Sequence, residues 1–114
     1  MVMDPDCVFC KIVAGQIPSE VVLESEAAIA IRDLGPQAPA HILILPREHV
    51  AGMEALPAAS PTWNALIGLA QAVALREGLG GGFRLVINQG ADGGETVGHL
   101  HLHLLGGRAL GWPP

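Results

Sequence analysis

Apolar and polar residues alternate strictly over His99-Leu100-His101-Leu102-His103-Leu104, the period of a half-buried β-strand. The leucines then face a core, and three imidazoles share the opposite face about 7 Å apart. The same alternation marks a strand from His41 to Leu45, stopped by Pro46. Val21 to Ser25 and Ala28 to Asp33 read as two short strands joined by a polar turn, and Arg84 to Asn88 as another. The period changes at Ser60-Pro61, an N-cap followed by a proline at the first helical position. Beyond it Trp63, Leu66, Ile67, Ala70, Val73 and Ala74 recur at helical spacing until Gly78 and Gly80 to Gly82 end the run. Asp6 is positioned to cap a short helix over Cys7 to Ala14, closed by Gly15. Gly35-Pro36 and Pro39 make a rigid loop, Gly90 to Gly98 a loop with four glycines, and Gly106 to Pro114 an irregular tail. This order predicts an α+β fold: a mainly antiparallel five-stranded sheet with one long and one short helix packed on one face.

Imidazole titrates near neutrality and serves as nucleophile, acid, base or metal ligand. A lone strand histidine is usually structural, but three at period two beside a glycine-rich loop point to the floor of a chemical site. They cannot easily share one metal ion, because three residues spanning about 14 Å do not converge on bonds of about 2 Å. In the loop Gly90-Ala91-Asp92-Gly93-Gly94-Glu95-Thr96-Val97-Gly98, glycines let successive N–H groups turn inward. Such a nest binds anions, and beside the histidines it reads as a phosphate cradle.

Composition narrows the setting. The 114 residues are expected to form one domain, residues 1–114. Half are apolar, enough for a core and rich enough to suggest an apolar subunit interface. Tyr is absent and Phe and Trp number two each, so aliphatic residues must do the packing. The net charge is −5 with six scattered basic residues, which argues against a nucleic-acid groove. Any phosphate must be held by backbone N–H groups and histidines. No apolar run of about 18 residues suggests a membrane span, and residues 1–11 lack the pattern of a secretory leader. The expected location is cytoplasmic, where Cys7 and Cys10 stay reduced.

The histidine stretch His99 to Leu105 resembles the histidine-triad signature of the HIT superfamily. The resemblance extends through Cys7 to Ile12, Gly15 to Ser19, Asp33 to His41, Ile44 to His49, Val86 to Asn88 and Leu105 to Arg108, nearly the whole chain. The segment Pro36-Gln37-Ala38-Pro39-Ala40-His41 and the ending Trp112-Pro113-Pro114 are similar to the HINT branch, the purine nucleoside phosphoramidases. His103 in third place is like the hydrolase branches; the nucleotidyltransferase branch has Gln there.

The resemblance implies that His101 attacks the phosphorus of a nucleoside 5′-phosphoramidate, that a nucleotidyl-histidine forms, and that water releases the monophosphate. It implies that His103 touches the phosphoryl oxygens and that His41 orients the site from behind. Thr96, where Ser is common, would bond the phosphate and relay a proton to the amine. Glu95 stands where Gln is common and adds negative charge. The N–H groups from Gly94 to Thr96 would cradle the phosphate, Asn88 would contact it, Asp33 would take both ribose hydroxyls, and Ile31 and Leu34 would sandwich the base. Some members join a Cys-x-x-Cys motif to two histidines in a structural zinc site; Cys7, Cys10, His49 and His99 match, a closed Cys₂His₂ set. No catalytic metal is implied, and a homodimer is. Two other functions share these residues: a dinucleoside polyphosphate hydrolase, and a nucleotide-binding or protein-interaction module with weak catalysis.

Overall fold

The computed structural model describes residues 3–112. Pro113 and Pro114, which end the Trp-Pro-Pro match, lie outside the described residues. A short helix α1 (Val8–Val13) leads to strands β1 (Val21–Glu24), β2 (Ala28–Arg32) and β3 (Ala40–Pro46). A 3₁₀ turn (Met53–Ala55), not foreseen in the sequence, precedes the long helix α2 (Pro61–Arg76), then β4 (Phe83–Val86) and β5 (Leu102–Gly106). All pairings are antiparallel, in the order β1-β2-β3-β5-β4. The α+β fold with a five-stranded antiparallel sheet and one long and one short helix is therefore the observed one.

Strand periodicity divides the sheet into two faces. Ala28 and Ala30, Ala40, Ile42 and Ile44, and Leu102 and Leu104 pack with Leu66, Leu69, Ala70, Val73 and Ala74 of α2. Ile29, Ile31, Leu43 and Leu45 pack instead with Cys7, Phe9 and Cys10. The helices thus cover opposite faces, not one face as expected. The α1 sequence carries apolar side chains that fit either face, and its side is chosen by the cysteines' partners described below. On α2, Ser60 caps Thr62 N–H and Pro61 is the first helical residue, as the sequence predicts. Leu69 replaces Ile67 in the buried stripe; Ile67 is 42% exposed, at the stripe's margin.

Two element boundaries move for identifiable reasons. The N-cap of α1 is Cys7, not Asp6. Asp4 completes the preceding turn by accepting the Asp6 N–H on its carboxylate and the Cys7 N–H on its carbonyl. The cap role falls to Cys7, whose Sγ accepts Cys10 N–H at 3.4 Å. The histidine strand begins at Leu102, not His99: its ladder with β3 stops at the Ile44–Leu102 pair, short of Pro46, which has no N–H to donate. Residues 99–101 lie outside that ladder, and Leu100 N–H finds the Val50 carbonyl instead, at 2.7 Å. The three histidines therefore do not form a uniform exposed row: His99 is fully buried, His101 is 9% exposed, and only His103 is half-buried.

Candidate functional site

The triad face carries a proton order that the backbone dictates. Gln37 N–H donates to His41 Nδ1 at 3.0 Å, so that nitrogen holds a lone pair and His41 bears its hydrogen on Nε2. That hydrogen points to His103 Nδ1 at 2.9 Å, with an Asp33 carboxylate oxygen 3.4 Å away. Burial pushes His103 below the ordinary imidazole pKa, helped by its His101 and His41 neighbours. It is therefore neutral, accepts at Nδ1 and keeps a hydrogen on Nε2. His101 shows the reverse arrangement. Its Nδ1 lies 2.7 Å from the His99 carbonyl, which can only accept. Nδ1 thus carries the hydrogen, and in the neutral tautomer this selects, Nε2 is the nitrogen with the lone pair. The His101 and His103 rings are 5.0 Å apart, and the edge of Phe9 packs on His101 at 5.0 Å. One imidazole offers a nucleophilic nitrogen and its neighbour a donor, the pairing that attack at a phosphoryl group requires.

The second cluster gathers all four residues matched to the zinc set: Cys7, Cys10, His49 and His99. His99 Nε2–H donates to the Pro46 carbonyl at 3.0 Å, which turns its Nδ1 lone pair toward the sulfurs. Nδ1 of His99 is 3.3 Å from Cys7 Sγ and 3.6 Å from Cys10 Sγ, and Nδ1 of His49 is 3.4 Å from Cys10 Sγ. Ordinary Zn–S and Zn–N bond lengths at a tetrahedral angle put S and N about 3.6 Å apart, so the donor set fits zinc. Burial holds His99 below the ordinary imidazole pKa, in the neutral form a ligand needs. Asp33, His41 and His103 also lie within ligating distance of one another. They do not fit a metal, because Gln37 N–H occupies the His41 lone pair and leaves a hydrogen between His41 and His103.

The nucleotide-contact residues are placed less uniformly. Asp33 follows β2 and accepts Gly35 N–H at 2.7 Å, leaving other lone pairs open. Leu34 is 98% exposed, whereas Ile31 is buried under α1. The expected base sandwich is thus not preformed: Leu34 offers free apolar surface and Ile31 very little. Asn88 Nδ2 donates to the Gly93 carbonyl at 2.7 Å and holds the glycine loop shut. Gly93 is obligatory there, since a Cβ would collide with the Gln89 carbonyl. His41 is buried behind the triad, as expected, and Thr96 is exposed.

The expected phosphate cradle needs correction. Gly94 N–H donates to the Ala91 carbonyl and Glu95 N–H to the Gly90 carbonyl, so two of its three groups are already engaged within the loop. The Glu95 carboxylate turns back and accepts the N–H groups of Val97 at 2.7 Å and Gly98 at 3.0 Å. The Val97 N–H above all, with Gly98, His101 and Thr96 adding to it against partial burial, holds this carboxyl below the usual range. An anion already sits in the nest, and it belongs to the chain. Sequence reasoning also missed Phe9, Asp4 and the backbone groups of Gln37, Pro46 and His99. Phe9 lies inside the Cys-x-x-Cys motif and Asp4 only three residues before it, but nothing in a sequence singles out a carbonyl.

A sheet face that presents ordered imidazoles beside a glycine loop, with a Cys₂His₂ cluster at its end, defines a histidine-based site braced by a metal-ligand set. The HIT domain family model matches residues 14–110, and the chain belongs to the HIT family, in its HINT-like branch. It is 45% identical to a 14 kDa zinc-binding protein of Zea mays over 97% of this chain and 89% of that protein. It is 43% identical to the adenylylsulfatase HINT1 of Arabidopsis thaliana, over 97% of this chain and 78% of that one. The crystal structure of a HIT family hydrolase from Legionella pneumophila superposes with a TM-score of 0.92 at 45% identity, covering 96% of this chain and 99% of that one. Among the described residues no helix is long and apolar enough to cross a membrane.

Proposed function

We propose that the protein is a nucleotide hydrolase that cleaves the P–N bond of purine nucleoside 5′-phosphoramidates through a nucleotidyl-His101 intermediate. The observation that carries this reading is the opposed tautomers of His101 and His103. His101 Nε2 attacks phosphorus. The P–N bond breaks, its electron pair stays on nitrogen, and the amine leaves after taking up one proton. Thr96 hands on that proton from solvent, and His103 Nε2–H bonds a phosphoryl oxygen where charge builds. Water then displaces the imidazole, giving the monophosphate and returning a proton to solvent. The His99 carbonyl stabilises the His101 ring while it is substituted at Nε2. Asp33 binds the ribose hydroxyls, Leu34 covers the base with the edge of Ile31, and Asn88 and Glu95 shape the loop with Gly94. His41 positions His103 and does not react.

The Cys7, Cys10, His49 and His99 set is read as a structural zinc site, outside the chemistry. A homodimer is proposed as well. β4 is one of the two sheet edges, with Phe83 and Leu85 exposed on it and Leu75 85% exposed on α2. An open apolar edge of this kind is suited to a second copy.

The name of the Arabidopsis relative supports a second reading, in which the same nucleotidyl transfer expels an anion such as sulfate. One experiment tests the shared core. After a denaturing quench at alkaline pH during turnover of an adenosine phosphoramidate, which preserves an acid-labile P–N bond, intact-protein mass spectrometry should show an adenylyl adduct that His101→Ala lacks. Rapid turnover by folded His101→Ala would refute the assignment and leave a binding module as the better account.

A further inference from the structure

The leaving group is the part of the substrate that the triad leaves open. We infer that Glu95 makes this site select amine leaving groups that are neutral or cationic over leaving groups that carry negative charge. The inference rests on the nucleotidyl-transfer reading above and names the substrate class within it.

Three observations converge. The first is placement. Asp33 stands 3.4 Å from His41, His41 2.9 Å from His103, and the His103 ring 5.0 Å from that of His101. Asp33 follows the β2 residue paired with Ile42, at the end of the sheet where Ala40 meets Gly106. The loop carrying Glu95 enters β5 from its other end, through Gly98 and His99. A nucleotide with its ribose on Asp33 and its phosphorus at His101 therefore directs its leaving group toward residues 94–98. The second is occupancy. The N–H groups that would receive an anion there, on Val97 and Gly98, already hold the Glu95 carboxylate at 2.7 and 3.0 Å. An incoming sulfate or phosphate finds the nest filled and meets a like charge. The third is charge balance. No Lys or Arg makes a hydrogen bond or ion pair to Glu95 or to the triad histidines among the described residues; Arg108 bonds the Gln37 and Ala109 carbonyls and Arg84 the Gly111 carbonyl. The site holds two carboxylates, Asp33 and Glu95, with no Lys or Arg paired to either of them among the described residues. An ammonium group on the leaving amine would supply the missing positive charge, whereas a polyphosphate or sulfate would add to the negative side.

The test uses three adenosine 5′-phosphoramidates, made with ethylenediamine, propylamine and β-alanine, together with adenylylsulfate. The three phosphoramidates differ chiefly in whether the departing amine is cationic, neutral or anionic; adenylylsulfate, a mixed anhydride with a far better leaving group, is compared only with itself, between wild type and Glu95→Gln. Wild-type kcat/KM should rank cationic above neutral above anionic. Reversing a charge within about one Debye length of Glu95 should be worth roughly tenfold or more in the cationic-to-anionic ratio at an effective dielectric between protein and water. Glu95→Gln should collapse that ratio about tenfold, whatever it does to the absolute rate. Should that variant fold poorly, the wild-type protein still decides the matter: its ratio should shrink steadily as ionic strength rises. A wild-type preference for the anionic phosphoramidate over the cationic one, or a ratio unmoved by both Glu95→Gln and salt, overturns the inference while leaving the nucleotidyl-histidine chemistry standing. Absence of any His101 adduct with all four substrates overturns that chemistry and this inference with it.

Discussion

Removing zinc is the perturbation with the most calculable consequence. The four ligating atoms come from three separated stretches: the first turn of α1, the chain after β3, and the entry to the triad. One ion would tie them together. Without it the fold persists, because each sulfur retains partners: Cys7 Sγ meets His99 Nδ1, and Cys10 Sγ meets His49 Nδ1 and receives the Asp4 N–H. The cost is therefore the linkage energy. With free zinc about a hundredfold above Kd, binding to the folded state stabilises it by about 2.7 kcal/mol. At about 4 °C per kcal/mol for a domain of this length, the melting temperature should fall by about 10 °C on full chelation. The assay is calorimetry on protein purified in reductant without chelator, alongside elemental analysis expected to give about one zinc per chain. Cys10→Ser should reproduce the fall, and so should Cys7→Ser, each with turnover at moderate temperature largely retained. Metal-free but folded protein straight from purification, or a melting temperature indifferent to chelation, would refute a structural ion. Complete loss of turnover on chelation with the fold intact would place the metal in the chemistry instead.

The other expectations can be stated briefly. Asp33→Ala should raise KM for nucleotides strongly and erase the wild-type preference for ribose over 2′,3′-dideoxyribose; an equal preference in both proteins would contradict direct ribose contact. Thr96→Val should slow substrates with basic amine leaving groups more than those with good ones, and a flat leaving-group series would remove its hydroxyl from the proton path. Arg32 holds Glu77 bidentately at 2.7 and 3.1 Å and also reaches Glu20, and its guanidinium keeps the Glu77 carboxyl below the ordinary range. A lowered folded-state pKa contributes stability above the unfolded value, about 4.3, and loses it as pH falls through the lowered one. Glu77→Gln should therefore cost about 1 kcal/mol at pH 7, an amount discounted for the partial exposure of Arg32. That difference should disappear in acid; a deficit constant from pH 7 to pH 3 would show that the loss is one of packing.

Much of this protein is written in short-range pattern. The leucines at 100, 102 and 104 face α2, and Ser60-Pro61 starts that helix where the residues predict. The chemistry is carried by side chains close enough in sequence to be recognised: three alternating histidines, and two cysteines with a three-residue spacing. What the chain pattern leaves open is which partner each polar atom finds, because alternation specifies a face but not a neighbour. The tautomers of the histidines are fixed by Gln37 N–H and by the carbonyls of His99 and Pro46, groups every residue possesses, so only folding shows where they lie. The same limit explains α1, whose side of the sheet follows from cysteines reaching histidines some 40 and 90 positions away. It also explains Glu95, a polar loop residue in the sequence that becomes the occupant of an anion nest only because positive φ at Gly94 and Gly98 turns the loop back on itself. Side-chain periodicity is a local property of the backbone. Hydrogen-bond partnership depends on distances between segments far apart in the chain, and these exist only once the sheet has closed.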